Sequence, residues 1–579
     1  MIANFLKIQK TISSDDKKKL ILSLFVKLIV SITEMLSVAS FIPFLSLIAN
    51  RDDFLKNSYV LYFTKKFSLS ESEIYMLLIF IPLILIIFLN LLRPFSIWLS
   101  SKINSRVWIK TTTNLFDYYL NQDYLYHVEH GSNALLEKLL QRSNSAIAGV
   151  IYPVYEIFGC IFSSIFIISV PLIYNPYVTV ITLIVVVLLY ATIYQFFRKK
   201  IIEYGRYSPQ FSTETYKLVE ESFKSYKDIK IKNNQKFFLD QFFAKVQKYQ
   251  GNAVNFDFFS STPKAFTEIF AFSLALLVTF ILLINSNYEL NQTVIILGIF
   301  LLATQRLVPV IQNFFIHYSK IKFHEPSFNL IYDDLVRSRN YKRSSILQDG
   351  KSLLFNQSIK LDNIKFTYPN NDKFLLRVKN FKIKKGEKIG ISGKSGFGKS
   401  TFINILCGLL HPTEGEIIID ENKVDKNSVS FYQKNINYVP QNIFILNDTI
   451  KNNIAFGIHN HLIDENKIRQ CAKFAGIDEY IEKELDNSYE TIVGENAVKL
   501  SGGQRQRIGL ARAFYDDKDI LILDEATNSL DKDKELEIFK NLNLLKEKTI
   551  IIVTHNPLLL KELHRVVYFD KGVLKETNN

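Results

Sequence analysis

Nine residues, Gly393 to Thr401, read GKSGFGKST and fit the pattern G-x-x-x-x-G-K-[ST]. This combination of glycines, a lysine and hydroxyls handles phosphate. Gly393, Gly396 and Gly398 let the backbone wrap closely, so that N–H groups of the turn, including those of Lys394 and Ser395, face an anion. Lys399 reaches toward β- and γ-phosphate oxygens. Ser400 offers a hydroxyl to Mg²⁺, which prefers oxygen ligands, and Thr401 closes the motif. The stretch follows an expected strand, KIGISG, and opens an expected helix, TFINILCGLL, whose positive end points to the same place.

Further residues complete the chemistry in chain order. The apolar strand DILILD ends in Asp524, placed to hold Mg²⁺. Glu525 follows, placed to orient or deprotonate an attacking water. In LSGGQ, Ser501, Gly502, Gly503 and Gln504 form a second anion-binding turn before the expected helix RQRIGLARAF. IIVTH ends in His555, within reach of a γ-phosphate. YVPQ supplies Gln441 as a further metal-site residue, and FTYP supplies Tyr368 to stack on adenine. Each has a plain alternative when taken singly: a capping serine, a core histidine, a turn glutamine. In this order they read together as an ATP site.

Residues from about 360 to 579 resemble the nucleotide-binding domain of an ABC transporter, an α/β P-loop ATPase. Tyr368, the phosphate loop, Gln441, LSGGQ, the Asp524–Glu525 pair, NSLD ending in Asp531, and His555 carry the likeness. TIVGE, Thr491 to Glu495, resembles the extra loop of exporters in this family. The usual charge after Glu495 is replaced by Asn496 and Ala497. The resemblance implies ATP and Mg²⁺ as cofactors. It also implies a homodimer, because the signature of one copy completes the phosphate loop of the other. No catalytic position is degenerate, so both sites are expected to hydrolyse ATP.

The elements that position this chemistry follow from composition. With 579 residues, the chain exceeds one ordinary domain. Its net charge is +14, which fits nucleic acid or an anionic membrane face. The lysines cluster between long apolar runs, which favours the membrane and argues against a nucleic-acid partner. Three cysteines, Cys160, Cys407 and Cys471, show no ligand spacing and read as free thiols. The polar start MIANFLKIQKTISSDDKKK is not a cleavable signal.

Six apolar segments are long enough to span a bilayer: roughly 20–48, 74–99, 150–173, 177–197, 265–285 and 293–315. The short connections lack Lys and Arg. The N-terminus and the long connections 100–149 and 198–264 carry the positive charge, so they are expected on the cytoplasmic side of a bacterial inner membrane. Apolar residues at helical spacing in NALLEKLLQRSN and ETYKLVEESFKSYKDIKI predict helices that continue beyond the membrane. Their tips, near Gln122–Gly131 and Glu221–Lys232, either are solvated bundle ends or transmit force to another domain. The expected organisation is a membrane α-helical domain over 1–322 with the exporter fold, a linker over 323–359 and the ATPase over 360–579.

Charges inside the spans raise a second site. Arg306, Lys27 and Arg93 fall in the inner-leaflet half, with Glu34, Glu156 and Glu268 in or near spans. Such groups usually face a cavity or a partner. One reading pairs Lys27 with Glu34 and Arg306 with Glu156, with Arg93 snorkelling to the interface. The other reading binds an anionic head group, for which an arginine fork is better suited than a lysine. Outside, DDFLKNSYVLYFTKKF, Asp52 to Phe67, predicts a short interfacial helix or an extension of the first span. That insertion, TEMLSVASFIPFLSLI and LLATQRLVP together resemble bacterial flippases of lipid-linked oligosaccharides. The resemblance implies a polyprenyl-pyrophosphate glycan as cargo. The alternatives are an exporter of lipid A, a drug or a peptide. An ATP-gated channel and a soluble DNA-repair ATPase are further rivals, the latter only if the apolar runs are core helices.

Overall fold

The structure, a computed structural model, describes residues 2–266, 269, 273, 276, 279–280, 290–341, 353–369, 376–494 and 499–576. It divides into two compact units: Met1–Gln122 with Glu129–Tyr341, and Asp123–Val128 with Lys342–Asn579.

In the first unit, five helices among the described residues are long and apolar enough to cross a membrane. They are α1 (Ser14–Ala49), α2 (Glu71–Leu120), α3 (Ser132–Tyr174), α4 (Pro176–Lys224) and α5, described over Leu290–Asn340. The expected span 265–285, with Glu268, and the loop from 281 to 289 lie largely outside the described residues. The helices outrun their apolar segments. The 50 residues of α2 make a rod about 75 Å long, against a hydrocarbon core of about 30 Å. The expected end of the second span at 99 therefore falls inside the helix, which runs on to Leu120. Likewise α5 continues to Asn340, so the boundary drawn at 322 falls inside a helix. Amphipathic spacing carries these helices on after hydropathy drops.

Two π-turns, Lys138–Arg142 and Ile147–Ile151, interrupt α3. Gly149 sits in the second, where an added Cβ would lie 2.3 Å from the His324 ring. Only a residue without a side chain lets α3 and α5 approach this closely. The segment expected as one outer helix is two: Arg51–Lys56, capped by Asn50, and Ser58–Phe67, capped by Asn57. Asn57 breaks the run because its extended backbone places its side chain to accept from the Tyr59 N–H at 3.0 Å.

In the second unit, strands β1 (Ser358–Phe366), β2 (Leu376–Lys384), β3 (Lys388–Gly393), β4 (Glu414–Ile419), β5 (Asn422–Val424), β6 (Ile436–Val439), β7 (Asp448–Thr449), β8 (Ile492–Val493), β9 (Ile520–Asp524), β10 (Thr549–Val553), β11 (Arg565–Asp570) and β12 (Val573–Glu576) are present. Ten of them form one sheet in the order β5-β4-β1-β2-β12-β11-β3-β10-β9-β6, and β7 pairs with β8. Within it β11, β3, β10, β9 and β6 run parallel. The strands ILILD and TIIIV are buried at every position, as parallel strands covered on both faces must be. Burying each such Ile or Leu contributes about 1.5–3 kcal/mol, so these two strands anchor the sheet. The segment Asp123–Val128 groups with this unit, and Leu125 packs on its core. The other expected tip, Glu221–Lys232, lies in the first unit.

Candidate functional site

Parallel strands deliver their carboxyl ends to one edge of the sheet, and ligands of open α/β sheets sit there. β3 ends in the phosphate loop, β9 in Asp524 and β6 two residues before Gln441. His555 follows β10 by two residues. The sheet order therefore gathers groups that are far apart in sequence.

Gly393, Gly396 and Gly398 have φ of +145°, +81° and +102°. At Gly393 an added Cβ would also lie 2.7 Å from the Phe569 carbonyl. The loop then enters helix α6 (Lys399–Leu406). Lys399 donates to the Gly393 carbonyl at 2.5 Å, and its Nζ lies 3.4 Å from His555 Nε2. Lys394, Ser395, Gly396 and Ser400 are exposed, and Thr401 is buried with its hydroxyl 3.4 Å from that of Tyr368. Tyr368 thus stands beside the phosphate loop, its ring edge-on to Phe366.

Glu525 adopts φ +51°, an uncommon conformation for a non-glycine residue, in the turn leaving β9. Its Oε2 accepts from Gln441 Nε2 at 2.7 Å and from Asn528 Nδ2 at 2.9 Å. His555 Nε2 lies 3.6 Å from Oε1. Asp524 is buried and accepts from the Tyr438 hydroxyl at 3.3 Å. Burial pushes its carboxyl above the ordinary range; the Tyr438 bond and Lys399 oppose this, and Glu525 adds to it. Ser400, Gln441 and Asp524 offer oxygen donors on adjoining turns, a set that fits a hard cation such as Mg²⁺.

Ser501 caps helix α7 (Gly502–Asp516), and Gln504 closes the reciprocal bond at 2.7 Å. Gly502 and Gly503 face Ser529, and Asp531 caps Lys532–Leu544. Sequence reasoning missed three residues here. Asn528 holds the Glu525 carboxylate, Tyr438 holds Asp524, and Gln506 accepts from the Ser529 N–H at 3.0 Å while its Nε2 lies 3.5 Å from the Glu525 carbonyl. YVPQ and NSLD contain or adjoin two of these, but their partners come from other strands and turns.

This geometry agrees with two family matches. The ABC transporter transmembrane region covers residues 20–307, and the ABC transporter domain covers 376–528. The chain belongs to the ABC transporter family. A solved bacterial Atm1-family ABC exporter with ATP bound shares the fold, with a TM-score of 0.78 at 18% identity over 97% of this chain and 95% of that one. The exporter arrangement, a helical membrane region fused to an ABC ATPase domain, is therefore the fold of this transporter. Curated relatives include ATP-dependent lipid A-core flippases of Aliivibrio fischeri, 36% identical over 38% of each chain, and of Pasteurella multocida, 38% identical over 37% of each. The Escherichia coli K12 protein of that name is 36% identical over 38% of this chain and 37% of its own. The chain thus matches under two fifths of the length of these relatives.

Within the membrane unit of this ABC transporter, a cavity of about 400 Å³ is lined by Lys27, Arg93, Arg306, Glu34 and Glu156 from helices α1, α2, α3 and α5. The ion pairs differ from those expected from the sequence. Lys27 bonds Glu156 at 2.7 Å, and Arg93 bonds Glu34 at 2.5 Å instead of snorkelling. Lys27 and Glu34 stand about 10 Å apart along one helix, whereas neighbouring helices bring closer partners. Gly159 makes this possible: an added Cβ would lie 2.8 Å from the Lys27 stem. Arg306 has no ion pair or hydrogen bond among the described residues. A second groove, about 540 Å³, lies under the outer helices and is lined by Ile42, Phe54, Tyr59, Phe63 and Leu77.

Proposed function

We propose that this chain is an ATP-driven flippase of a bacterial inner membrane, working as a homodimer on an amphiphile with a phosphate-bearing head group, of which a polyprenyl-pyrophosphate glycan is the preferred member. The observation that carries the cargo reading is Arg306, a guanidinium in a membrane cavity without a carboxylate partner. Arg306 is half-buried, and a cation drawn partly out of water without an anion beside it is costly unless a ligand anion completes it. Its planar fork takes two phosphate oxygens at once. The apolar groove beneath the outer helices supports an isoprenoid tail.

In the ATPase, Lys399 and the loop N–H groups hold the phosphates, and Tyr368 stacks on the base. Ser501, Gly502, Gly503 and Gln504 of one copy close over the nucleotide of the other. Ser400, Asp524 and Gln441 would hold Mg²⁺, which would neutralise charge on the phosphates. Glu525 takes the proton of the attacking water, oriented by Gln441 and Asn528, with His555 beside it. Closure then acts on the helices whose cytoplasmic tips lie near Gln122–Gly131 and Glu221–Lys232. A second reading, lipid A as cargo, is favoured by the name that the curated relatives share.

The test is Arg306→Ala in proteoliposomes. Basal ATP hydrolysis should persist while head-group-dependent translocation is lost. Translocation at the parent rate would discard the head-group role.

A further inference from the structure

The same cavity holds an anion oxygen and a cation that both lack partners. Arg93 directs Nε, at 3.1 Å, and Nη2, at 2.5 Å, to one oxygen of Glu34, Oε1. The other oxygen, Oε2, accepts no hydrogen bond among the described residues, although the residue is only 3% exposed. A buried acceptor left without a donor costs about 1–3 kcal/mol, and more when charged. Arg306 lines the same space as Arg93 and Glu34. Lys27 does not serve as the missing donor, because Glu156 holds it from the neighbouring helix.

We propose that Glu34 Oε2 and the anionic head group are alternative partners of Arg306, so that Glu34 is the release group of the substrate site. This rests on the reading of Arg306 as a head-group residue. A carboxylate has about four acceptor positions on its two oxygens, so Glu34 can keep Arg93 on one and receive Arg306 on the other. While the head group is bound, Arg306 holds phosphate and Oε2 waits. When the spans rearrange, Arg306 turns to Oε2, and the phosphate departs without leaving an uncompensated guanidinium behind. No covalent bond changes; one ion pair replaces another. The arrangement also limits affinity, because the head group must compete with a resident anion.

The test uses the full chain in liposomes of neutral lipid, with a short-chain polyprenyl diphosphate as the probe. ATPase stimulation gives the half-maximal probe concentration, and a leaflet-accessibility assay gives the maximal translocation rate. Glu34→Gln keeps shape and an acceptor for Arg93 but removes the competing charge. Its half-maximal concentration should fall by about threefold or more, and its maximal rate should fall as release slows. Glu34→Asp, which withdraws the free oxygen by one methylene, should shift both quantities the same way by less. Arg93→Gln frees Glu34 for Arg306 and should raise the half-maximal concentration. If Glu34 only anchors Arg93, the Glu34→Gln and Arg93→Gln variants move in the same direction, and the proposal is overturned. Unchanged values in Glu34→Gln overturn it as well. If instead Arg306→Ala leaves stimulation by the probe intact, the head-group reading itself fails.

Discussion

Replacing Gln506 by Met tests whether the helix after LSGGQ positions the turn of its own chain that carries Glu525, the proposed general base. Gln506 is 5% exposed, accepts from the Ser529 N–H at 3.0 Å, and places Nε2 3.5 Å from the Glu525 carbonyl. Gly502 and Gly503 approach the same Ser529, so that an added Cβ would lie 3.4 Å and 3.1 Å from its atoms. Methionine keeps the length and apolar stem and removes both polar groups. The full penalty for a buried, orphaned N–H would be about 1–3 kcal/mol, but Ser529 is exposed and water can replace the lost acceptor. The net value of an ordinary hydrogen bond, about 0.5–1.5 kcal/mol, therefore applies. If it falls on the transition state, kcat drops by about 2- to 13-fold. ATP binding uses other groups, so KM should stay within about twofold. Steady-state ATPase assays on the full-length protein, with a fluorescent nucleotide to measure binding, give both quantities. An unchanged kcat, or a KM that rises as kcat falls, would refute a positioning role.

Two further substitutions address the ATPase directly. Glu525→Gln should retain ATP binding and lower turnover by on the order of 10²–10⁴, the range of a lost general base; undiminished hydrolysis would exclude Glu525 as the base. Asp524→Asn should abolish Mg²⁺-dependent turnover while raising the melting temperature at pH 7. Burial holds the Asp524 carboxyl above its ordinary range, so the native state keeps that proton to higher pH than the unfolded chain does. Its contribution to stability is present below the unfolded pKa and is lost as pH rises through the folded one. The advantage of the asparagine should therefore shrink as pH falls, and a lower melting temperature at pH 7 would contradict this.

The ATP-site motifs were legible because each is local. A glycine loop between a strand and a helix, or an acidic pair at the end of ILILD, announces its geometry within a dozen residues. The sheet then assembles these pieces by strand order, which no single motif encodes. Asn528, Tyr438 and Gln506 escaped notice because their roles exist only after β6, β9 and the signature helix are brought together. In the membrane unit, hydropathy marked the apolar runs but not where helices end, since α2 and α5 continue beyond them to Leu120 and Asn340. The cavity residues Lys27, Arg93 and Arg306 were visible as charges in apolar runs. Their partners were not, because the Lys27–Glu156 and Arg93–Glu34 bonds cross between helices and depend on a glycine at 159. The break at Asn57 shows the same limit on a smaller scale: charge placement at the ends of Asp52–Phe67 fits one helix, and a cap in the middle makes it two.

The most direct measurement is ATP-dependent movement of a fluorescent polyprenyl-diphosphate glycan between leaflets of liposomes containing the purified protein, run beside lipid A. Movement of the diphosphate glycan that needs ATP, stops with Glu525→Gln and exceeds that of lipid A is the expected result. ATP hydrolysis without movement of either lipid, or movement of lipid A alone, would contradict it.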